Sequence, residues 1–479
     1  RQYQGKILVL EPRRLAASAA ANRMASLIGE ATGETVGYRM QLENRTSDKT
    51  RIEVITEGIL PRMLQTDPEL HGVDMVIFDE FHERSLQSDL GLALCLQSQE
   101  VFREHPLKIL VMSATLDTGK LARQLSAPVV ISKGFLFPVI VRHLQKPWPD
   151  RHFFTVCEQT SRQVLQVLSE ESGSVLVFLP GSGEIRQTHK LLASSQLPDD
   201  VEIHPLFGDL SLALQRKAIE PAGKERRKVV LATNIAETSL TIEGIRIVID
   251  SGLTRRATYD PGTGMTRLTT RRISRSSADQ RKGRAGRLEP GICYRLWTAS
   301  EEAAMEATTP AEITEADLSS LALELSCWGA VSPDELFWLN PPAESRYQNA
   351  LQLLQQLQAV DCRNRVTPHG SAMASLGAHP RIGHLLLLAA KKKQTATGCC
   401  LAAILSERDL LTGKGLKEPG RSADLTQRLS LFDPQTTVSK QAHPSLGRVK
   451  RKMRQWQKRL KNSAKESVKP ELAPSLLTA

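Results

Sequence analysis

Several features that define other protein classes are scarce in this 479-residue chain. Aromatic residues make up only 4% of it, and apolar runs such as Leu385–Ala390 are far too short to cross a bilayer. The seven cysteines are odd in number and include no Cys-x-x-Cys spacing. That pattern argues against a disulfide framework and a zinc site, and it favours a reducing cytoplasm. Nor is there a Gly-x-x-x-x-Gly-Lys-[Ser/Thr] loop, the phosphate cradle of many NTPases.

The chain is long and basic. Its length predicts three or four domains, since one hydrophobic core rarely serves so many residues. Lys and Arg number 63 against 52 Asp and Glu, and the net charge of +11 favours a polyanionic partner. Eight of the basic residues occur near the C-terminus with no acid between them: Arg448, Lys450, Arg451, Lys452, Arg454, Lys458, Arg459 and Lys461. The overall charge is therefore weak evidence about the main body.

Four apolar stretches early in the chain have the length and branching of buried parallel strands. An Ala-rich helix is predicted after the first of them, from about Leu15 to Leu27. All four stretches end in polar turns, which are Glu11-Pro12-Arg13-Arg14, Thr56-Glu57-Gly58, Asp79-Glu80-Phe81-His82 and Ser113-Ala114-Thr115. Each turn follows the carboxyl end of its strand, where open α/β sheets bind ligands. This shared bias is stronger evidence for a phosphate site than any single turn.

The third turn is the centre of the site that the sequence predicts. An Asp that ends a strand beside a second acid is the Walker-B arrangement of phosphate-handling enzymes. One carboxylate, Asp79, would hold Mg²⁺ through water, and Glu80 would orient or deprotonate the attacking water. The alternative is a strand end carrying solvated acids, and the tetrapeptide alone favours neither interpretation.

A second α/β unit follows residues 146–150, which we interpret as a linker because two prolines disfavour helix and strand. Three strands are predicted, at Ser174–Leu179, Lys228–Ala232 and Ile245–Ile249. Between Arg256 and Arg271, two short strand-like pieces flank the turn residues 260–264, which predicts a hairpin.

The sequence QRKGRAGR follows that unit, at residues 280–287. Arg284 and Arg287 are three apart and would lie on one face of a helical turn. In a phosphoryl-transfer enzyme such arginines reach the γ-phosphate, and Gln280 would position the water. An isolated arginine cluster is more often a solvated basic loop, but the complete α/β unit before it favours the catalytic interpretation.

Together these motifs resemble, in order, those of the DEAH-box superfamily 2 helicases. The resemblance covers roughly residues 1–440 and includes TNIAETSLTI at 233–242. Phe81 stands where that family usually has Ala. With the residues EPRRLAA at 11–17 and VGYRM at 36–40, it resembles the bacterial HrpB branch.

The resemblance implies two RecA-like domains, with ATP between them and single-stranded nucleic acid across their top. Asp79 would hold Mg²⁺, Glu80 would activate water, and Gln280, Arg284 and Arg287 would act from the second domain. His82, Ser113 and Thr115 would couple the nucleotide site to the nucleic acid, and the hairpin would help to separate strands. The residues expected near the nucleic-acid backbone are Arg13, Arg14, Thr56, Thr233, Asn234 and Thr238.

The missing phosphate loop is the main departure from the family pattern. In the family it lies shortly before the Pro-Arg-Arg strand, and here that strand begins at Lys6. The first residue is Arg rather than Met, so we expect that the natural start lies upstream. We therefore expect these 479 residues alone to bind ATP poorly and to hydrolyse it little.

The full domain prediction follows from the same resemblance. We expect a partial RecA-like domain at 1–143, a second one at 144–300 with its hairpin near 256–271, a winged-helix-like domain at 301–367 and a ratchet-like helical bundle at 368–445. Residues 446–479 would form a basic amphipathic helix and a tail. The positive face of that helix would contact RNA phosphates, or the helix would dock by its apolar stripe with solvated lysines outside.

Three functions are compatible with these motifs. The leading one is an ATP-dependent RNA helicase that moves 3′ to 5′. The second is a nucleic-acid-binding module whose ATPase has lapsed, but the presence of Glu80, Gln280, Arg284 and Arg287 argues against it. The third is a DNA translocase, because readout of the 2′-hydroxyl is not visible in sequence.

Overall fold

The computed structural model of the chain describes thirteen stretches, which are 5–41, 43–114, 118–132, 134, 137–223, 225–238, 242–407, 410, 425–432, 446–460, 468–469, 474 and 476. The chain forms two compact units. The first comprises Arg1–Ala316 and Leu336–Pro341, and the second comprises Asp317–Glu335 and Pro342–Ala479. Within the described stretches, no helix is both long and apolar enough to cross a membrane.

The first unit begins with an α/β lobe, the first lobe. Its strands are β1 Lys6–Glu11, β2 Val36–Met40, β3 Glu43–Arg45, β4 Ile52–Thr56, β5 Val73–Phe78 and β6 Lys108–Val111. Its helices are α1 Arg14–Leu27, α2 Leu60–Thr66, α3 Leu86–Val101 and α4 Thr118–Leu125. The sheet order is β3-β2-β4-β1-β5-β6.

The four predicted strands of this lobe, β1, β4, β5 and β6, are neighbours and run parallel. Glu11 at the end of β1 is opposite Thr56 at the end of β4, and Phe78 at the end of β5 is opposite Val111. The polar turns therefore meet at one edge of the sheet, as predicted.

A second α/β lobe, the second lobe, completes most of the first unit. Its strands are β7 Val139–His143, β8 Ser174–Phe178, β9 Val201–Leu206, β10 Arg227–Ala232, β11 Ile245–Asp250, β12 Leu253–Asp260, β13 Met265–Arg272 and β14 Gly291–Arg295. Its helices are α5 Phe153–Glu170, α6 Ser182–Ala193, α7 Leu212–Ile219, α8 Arg275–Lys282 and α9 Ala299–Ala303. Six strands form a parallel sheet in the order β7-β14-β11-β8-β10-β9, and β12 pairs antiparallel with β13 as the predicted hairpin.

The predicted boundary between these lobes, at residues 143 and 144, is wrong. Strand β7 pairs with β14, with Val139 opposite Gly291, so it belongs to the second sheet. The proline-containing residues 146–150 then connect β7 to α5 inside the second lobe and are not the linker. Strand β7 is an edge strand with alternating burial and carries no motif. The prolines that follow it were therefore interpreted as the domain boundary.

Both lobes contribute to one buried cluster. The central strands of the second lobe supply Leu176, Phe178 and Val230, all fully buried. Leu15 and Ala16, at the start of α1 in the first lobe, pack in the same cluster. The first turn of α1, which follows Arg13 and Arg14, is therefore fixed against the second lobe.

The second unit is mainly helical. Its helices are α10 Ser319–Trp328, α11 Glu344–Gln356, α12 Pro368–Leu376, α13 Pro380–Lys391, α14 Thr395–Leu405, α15 Leu425–Ser430 and α16 Leu446–Arg459. An isolated bridge joins Val360 to Val366. Val449 and Trp456 of α16 are buried in the same cluster as Leu401 of α14.

The predicted domain start at residue 301 also needs correction. The second unit begins at Asp317, and residues 301–316 belong to the first unit. The reason is that Glu312 and Glu315 form hydrogen bonds and ion pairs with both lobes of that unit. The identities of the winged-helix and ratchet-like domains stay predictions.

Candidate functional site

The two acids predicted to handle phosphate sit on a sharp turn after β5. The Asp79 amide donates to the Leu10 carbonyl oxygen at 3.1 Å, which ties the turn to the neighbouring strand β1. Glu80 has a left-handed backbone with φ 49°, and its amide donates to Asp79 Oδ1 at 2.7 Å. A residue with a Cβ rarely adopts this conformation, which costs free energy and is frequent at functional sites.

Phe81 anchors this turn from below. Its ring is 1% exposed and meets Phe78 edge to face at a centroid distance of 5.9 Å. Its amide donates to the Met112 carbonyl oxygen at 3.1 Å, next to Ser113. Phe81 therefore packs the turn and links it to the Ser113 segment. Ser113 is half-buried beside that link, whereas Thr115 lies outside the described residues.

A third carboxyl group lies beneath the two acids, and the sequence did not identify it as a site residue. Glu11, the last residue of β1, is 5% exposed, and its Oε2 atom has no hydrogen-bond partner in the described structure. Burial, together with the charges of Asp79 and Glu80, raises the pKa of Glu11 to about 8. Burial and the Glu80 charge also raise the pKa of Asp79. The position of Glu11 at the end of a central strand was the one sequence feature that could have identified it as a site residue.

These carboxylates fit a magnesium ion that is held jointly with phosphate. Among the described residues, no group of three His, Cys, Asp or Glu side chains is arranged to hold a metal by itself. Mg²⁺ instead binds one or two carboxylates together with substrate phosphates and water. Burial and the neighbouring Glu80 charge both raise the pKa of Asp79, and a bound divalent ion would oppose that shift. Asp79 and Glu80 are thus suitable oxygen donors.

His82 lies against Glu80. Its Nδ1 atom is 3.4 Å from Glu80 Oε2, and its side chain is 7% exposed. Neither ring nitrogen has a hydrogen-bond partner in the described part of the chain. Nε2 can therefore form a new hydrogen bond while Nδ1 stays beside the Glu80 carboxylate.

The arginines of the second lobe approach the same acids. Arg284 is 9% exposed, and its Nε donates to the Glu237 carbonyl oxygen at 2.9 Å. Burial and the charge of Arg287 lower the pKa of Arg284 to about 10, and the Glu80 carboxylate opposes that shift. Glu80 also opposes the lowering of the Arg287 pKa by desolvation. Both guanidiniums therefore lie within electrostatic range of Glu80, and Gln280 is half-buried on α8, one turn before Arg284.

Arg281, which was not among the predicted site residues, holds this helix in place. It is 1% exposed, and its guanidinium pairs with Glu237 Oε2 and Asp250 Oδ1, each at 2.8 Å. The same group lies over the Phe178 ring at 4.7 Å from the centroid. Losing one partner of such a buried pair is costly, so Arg281 fixes the position of α8.

A second site, a cleft of about 540 Å³, lies beside the acids between the two lobes. It is lined by Pro12, Arg13, Arg14, Leu15, Glu83, Gly208, Leu210, Gln215, Thr233, Asn234 and Ile235. Four of the six predicted nucleic-acid contacts are brought together here. Cationic and hydroxyl side chains around an open cleft suit a phosphate backbone.

The two remaining predicted contacts lie elsewhere. Thr238 donates a hydrogen bond to Glu83 Oε1, so it reaches the cleft through that carboxylate. Thr56 ends β4 opposite Glu11 and does not line the cleft. Glu83 and Gln215 line it without having been predicted, because a single acid or amide outside a motif gives no sequence signal.

Comparison with known proteins gives a consistent result. Residues 1–123 match the family described as DEAD/DEAH box helicase, and residues 159–289 match the helicase conserved C-terminal domain. The ATP-dependent RNA helicase HrpB of Escherichia coli (strain K12) is 48% identical over 437 residues, which are 89% of this chain and 53% of that protein.

Two solved structures are similar as well. The crystal structure of Escherichia coli DEAH/RHA helicase HrpB gives a TM-score of 0.85 at 46% identity, covering 100% of this chain and 57% of that one. The crystal structure of E. coli DExH-box NTPase HrpB gives 0.80 at 45% identity, covering 99% and 55%. These similarities confirm the predicted tandem RecA-like architecture. The chain spans about half the length of the relatives that it matches.

Proposed function

The chain belongs to the DEAD/DEAH-box helicases, in their HrpB-like branch, and on that basis we propose that it forms the core of an ATP-dependent RNA helicase. In this proposal ATP hydrolysis drives movement along single-stranded RNA in the 3′-to-5′ direction and unwinding of duplexes ahead of it. The seven cysteines are free thiols, which supports the cytoplasm as its location.

The observation that carries the proposal is the juxtaposition of Glu80 with Arg284. The carboxylate belongs to the first lobe and the guanidinium to the second, yet the Glu80 charge favours the charged form of Arg284 and opposes the lowering of its pKa. A site whose acid and arginine come from different lobes is complete only when the lobes close. Hydrolysis can then be coupled to relative lobe motion.

We assign the hydrolytic roles as follows. Asp79 would hold Mg²⁺, with Glu80 beside it as the base that accepts a proton from the attacking water. When bound with ATP, Mg²⁺ would neutralise phosphate charge. Arg284 and Arg287 would contact the transferring phosphate, and Gln280 would orient the water. His82, Ser113 and Thr115 would relay the state of this site toward the nucleic acid.

The nucleic-acid path would follow the cleft between the lobes. Arg13 and Arg14 from the first lobe, with Thr233 and Asn234 from the second, would contact backbone phosphates. Thr238 would join them after releasing Glu83, and Thr56 would contribute from the end of β4. Because each lobe would contact the RNA backbone, the two lobes would bind and release the RNA in turn as they move.

We also propose that the 479 residues hydrolyse ATP weakly by themselves. The lysine and hydroxyl of a Gly-x-x-x-x-Gly-Lys-[Ser/Thr] loop, which hold the β- and γ-phosphates, do not occur in this sequence. The two alternatives, a lapsed ATPase that only binds nucleic acid and a DNA translocase, are separated from the main proposal by the same experiment.

That experiment measures ATP turnover of the 479-residue chain and of the full-length protein in which it occurs, with and without RNA or DNA oligonucleotides. Duplexes with a 3′ or a 5′ overhang report unwinding. We expect RNA-stimulated turnover and 3′-overhang unwinding by the full-length protein, with little turnover by the 479 residues. Equal stimulation by DNA favours the translocase, and no turnover by the full-length protein favours the lapsed ATPase. Strong turnover by the 479 residues alone contradicts the proposal that they hydrolyse ATP weakly.

A further inference from the structure

A short segment at the end of the first unit contacts three functional elements at once. We call residues 306–315 the connector. It follows α9 and contains one 3₁₀ turn, Glu312–Thr314, whose central Ile313 is fully buried. This buried residue anchors the turn from which Glu312 and Glu315 project.

The first element that it contacts is the start of α8. The Arg275 amide donates to the Glu306 carbonyl oxygen at 2.9 Å, and the Ser276 amide donates to the Ala307 carbonyl oxygen at 3.1 Å. The first amides of a helix have no hydrogen-bond partner within it. The connector carbonyl oxygens therefore accept from amides of α8 that would otherwise lack a partner. Helix α8 carries Gln280 and leads directly into Arg284.

The second element is the exit from the Asp79–Glu80 turn. The Leu86 amide donates to Glu312 Oε2 at 2.8 Å, and the Glu312 amide donates in return to the Arg84 carbonyl oxygen at 3.0 Å. Leu86 begins α3, where a carboxylate is also favoured by the helix dipole. Arg84 is two residues after His82 and has a left-handed backbone, so the connector fixes the strained end of the turn.

The third element is the β12–β13 hairpin. The Glu315 carboxylate pairs with Arg271 Nη1 at 3.1 Å on β13 and with Arg256 Nη2 at 3.6 Å on β12. The Tyr259 amide donates to the Glu315 carbonyl oxygen at 3.3 Å, and Arg256 Nη2 donates to the Pro310 carbonyl oxygen at 3.0 Å. Both strands of the hairpin are therefore held by one residue of the connector.

We propose that the connector transmits the state of the nucleotide site to the hairpin, with Glu312 and Glu315 as its positioning residues. This inference rests on the proposed helicase function. The two glutamates are three residues apart around one buried 3₁₀ turn, so a shift of the Arg84–Leu86 exit displaces Glu315 as well. A change at α8 enters the same segment through residues 306 and 307. The connector is a continuous chain of contacts of the kind that carries coupling between distant sites.

The functional test uses the full-length protein and four variants. Glu312→Ala removes the acceptor for Leu86, Glu312→Gln keeps one, and Glu315→Gln removes the charge that pairs with two arginines. Glu306→Ala is the matched control, because Glu306 is exposed and contributes its backbone to the contacts described. Basal ATP turnover without RNA is compared with base pairs opened per ATP consumed.

We expect basal turnover within about twofold of the parent in every variant. Base pairs opened per ATP should fall about tenfold in Glu312→Ala and Glu315→Gln, within the range typical of coupling between sites. Glu312→Gln should recover most of that loss, and Glu306→Ala should show none. If Glu312→Ala and Glu315→Gln open as many base pairs per ATP as Glu306→Ala does, the connector has no transmitting role.

A second measurement does not depend on unwinding. Hydrogen exchange of the Tyr259 amide in the 479-residue chain should accelerate about tenfold in Glu312→Ala, because loosening one end of the connector frees the other. Unchanged exchange at Tyr259 would overturn the proposal even if the protein proves not to be a helicase. Faster exchange in a protein without unwinding activity would instead refute the proposed function and leave the connector intact.

Discussion

The Thr238 hydroxyl of the second lobe donates a hydrogen bond to the Glu83 carboxylate of the first lobe, 155 residues earlier in the chain. Glu83 Oε1 also accepts from Arg13 Nη2 at 3.3 Å. One carboxylate therefore engages two groups that we propose for the nucleic-acid backbone. RNA phosphates would have to displace the Glu83 carboxylate from both Arg13 and Thr238. Glu83 would therefore compete with RNA for these two groups.

Neutralising this competitor should strengthen RNA binding. We expect Glu83→Gln to bind single-stranded RNA about fivefold more tightly at low salt, since a hydrogen bond to a charged group contributes about 1 kcal/mol more than a neutral one. Fluorescence anisotropy with a labelled RNA and the 479-residue chain measures this. Glu104→Gln, an exposed acid beyond α3, is the control and should change nothing. Weaker binding by Glu83→Gln would mean that Glu83 orients Arg13 rather than competing for it.

The role of Glu80 can be tested separately from RNA binding. In the full-length protein, Glu80→Gln should lower ATP turnover by about 10²- to 10⁴-fold, the usual contribution of a general base. Nucleotide affinity, measured with a fluorescent ATP analogue, should stay within about threefold because the amide keeps the size of the side chain. Turnover equal to the parent would rule out the base role and would leave Glu80 as a structural residue of the turn.

The sequence predicted the parts of this site that repeat along the chain and missed those that depend on tertiary contact. Four strands ending in polar turns imply a shared edge, because parallel neighbours align their carboxyl ends. The Glu83–Thr238 hydrogen bond and the Glu312–Leu86 contact join residues more than 150 positions apart. Nothing in either local sequence marks the partner. Strand β7 was missed for a similar reason, since an edge strand is identified by what it pairs with.

Burial of Glu57 predicts a specific pH dependence of stability. Glu57 is 8% exposed and accepts a hydrogen bond from Ser85, and burial is the main cause that raises its pKa from 4.5 to about 7. A carboxyl group whose pKa is raised on folding binds its proton more tightly in the folded state. The stability that the folded protein gains from this tighter proton binding is therefore complete below about pH 4.5 and is lost as the pH rises through 7.

Glu57→Gln should remove that loss. A shift of this size corresponds to about 3 kcal/mol, so the variant should be more stable than the parent at pH 8 and similar to it near pH 5. Thermal melts at several pH values between 5 and 8 measure the difference. Glu100→Gln, an exposed acid on α3, should follow the parent at every pH. If the stability of Glu57→Gln and that of the parent changed with pH in the same way, the pKa of Glu57 would not be raised by folding.

Helix α16 offers the clearest contrast between its two faces. The sequence left open whether its basic face binds RNA or whether the helix docks by its apolar stripe, and the structure buries Val449 and Trp456 in the core of the second unit. Truncating Trp456 to Ala should destabilise that unit by about 3–5 kcal/mol, the usual cost of a buried aromatic. Melting followed by circular dichroism measures this loss.

The exposed cations of α16 form the matched comparison. Lys450, Arg454 and Lys458 are spaced four residues apart and exposed, so replacing all three with Gln should change stability by less than about 1 kcal/mol. If these cations also contact RNA, the triple variant should show a shallower salt dependence of binding, because fewer counterions are released. An unchanged salt slope would restrict α16 to docking. A large loss of stability in the triple variant would instead mean that these side chains pack against the fold, which their exposure argues against.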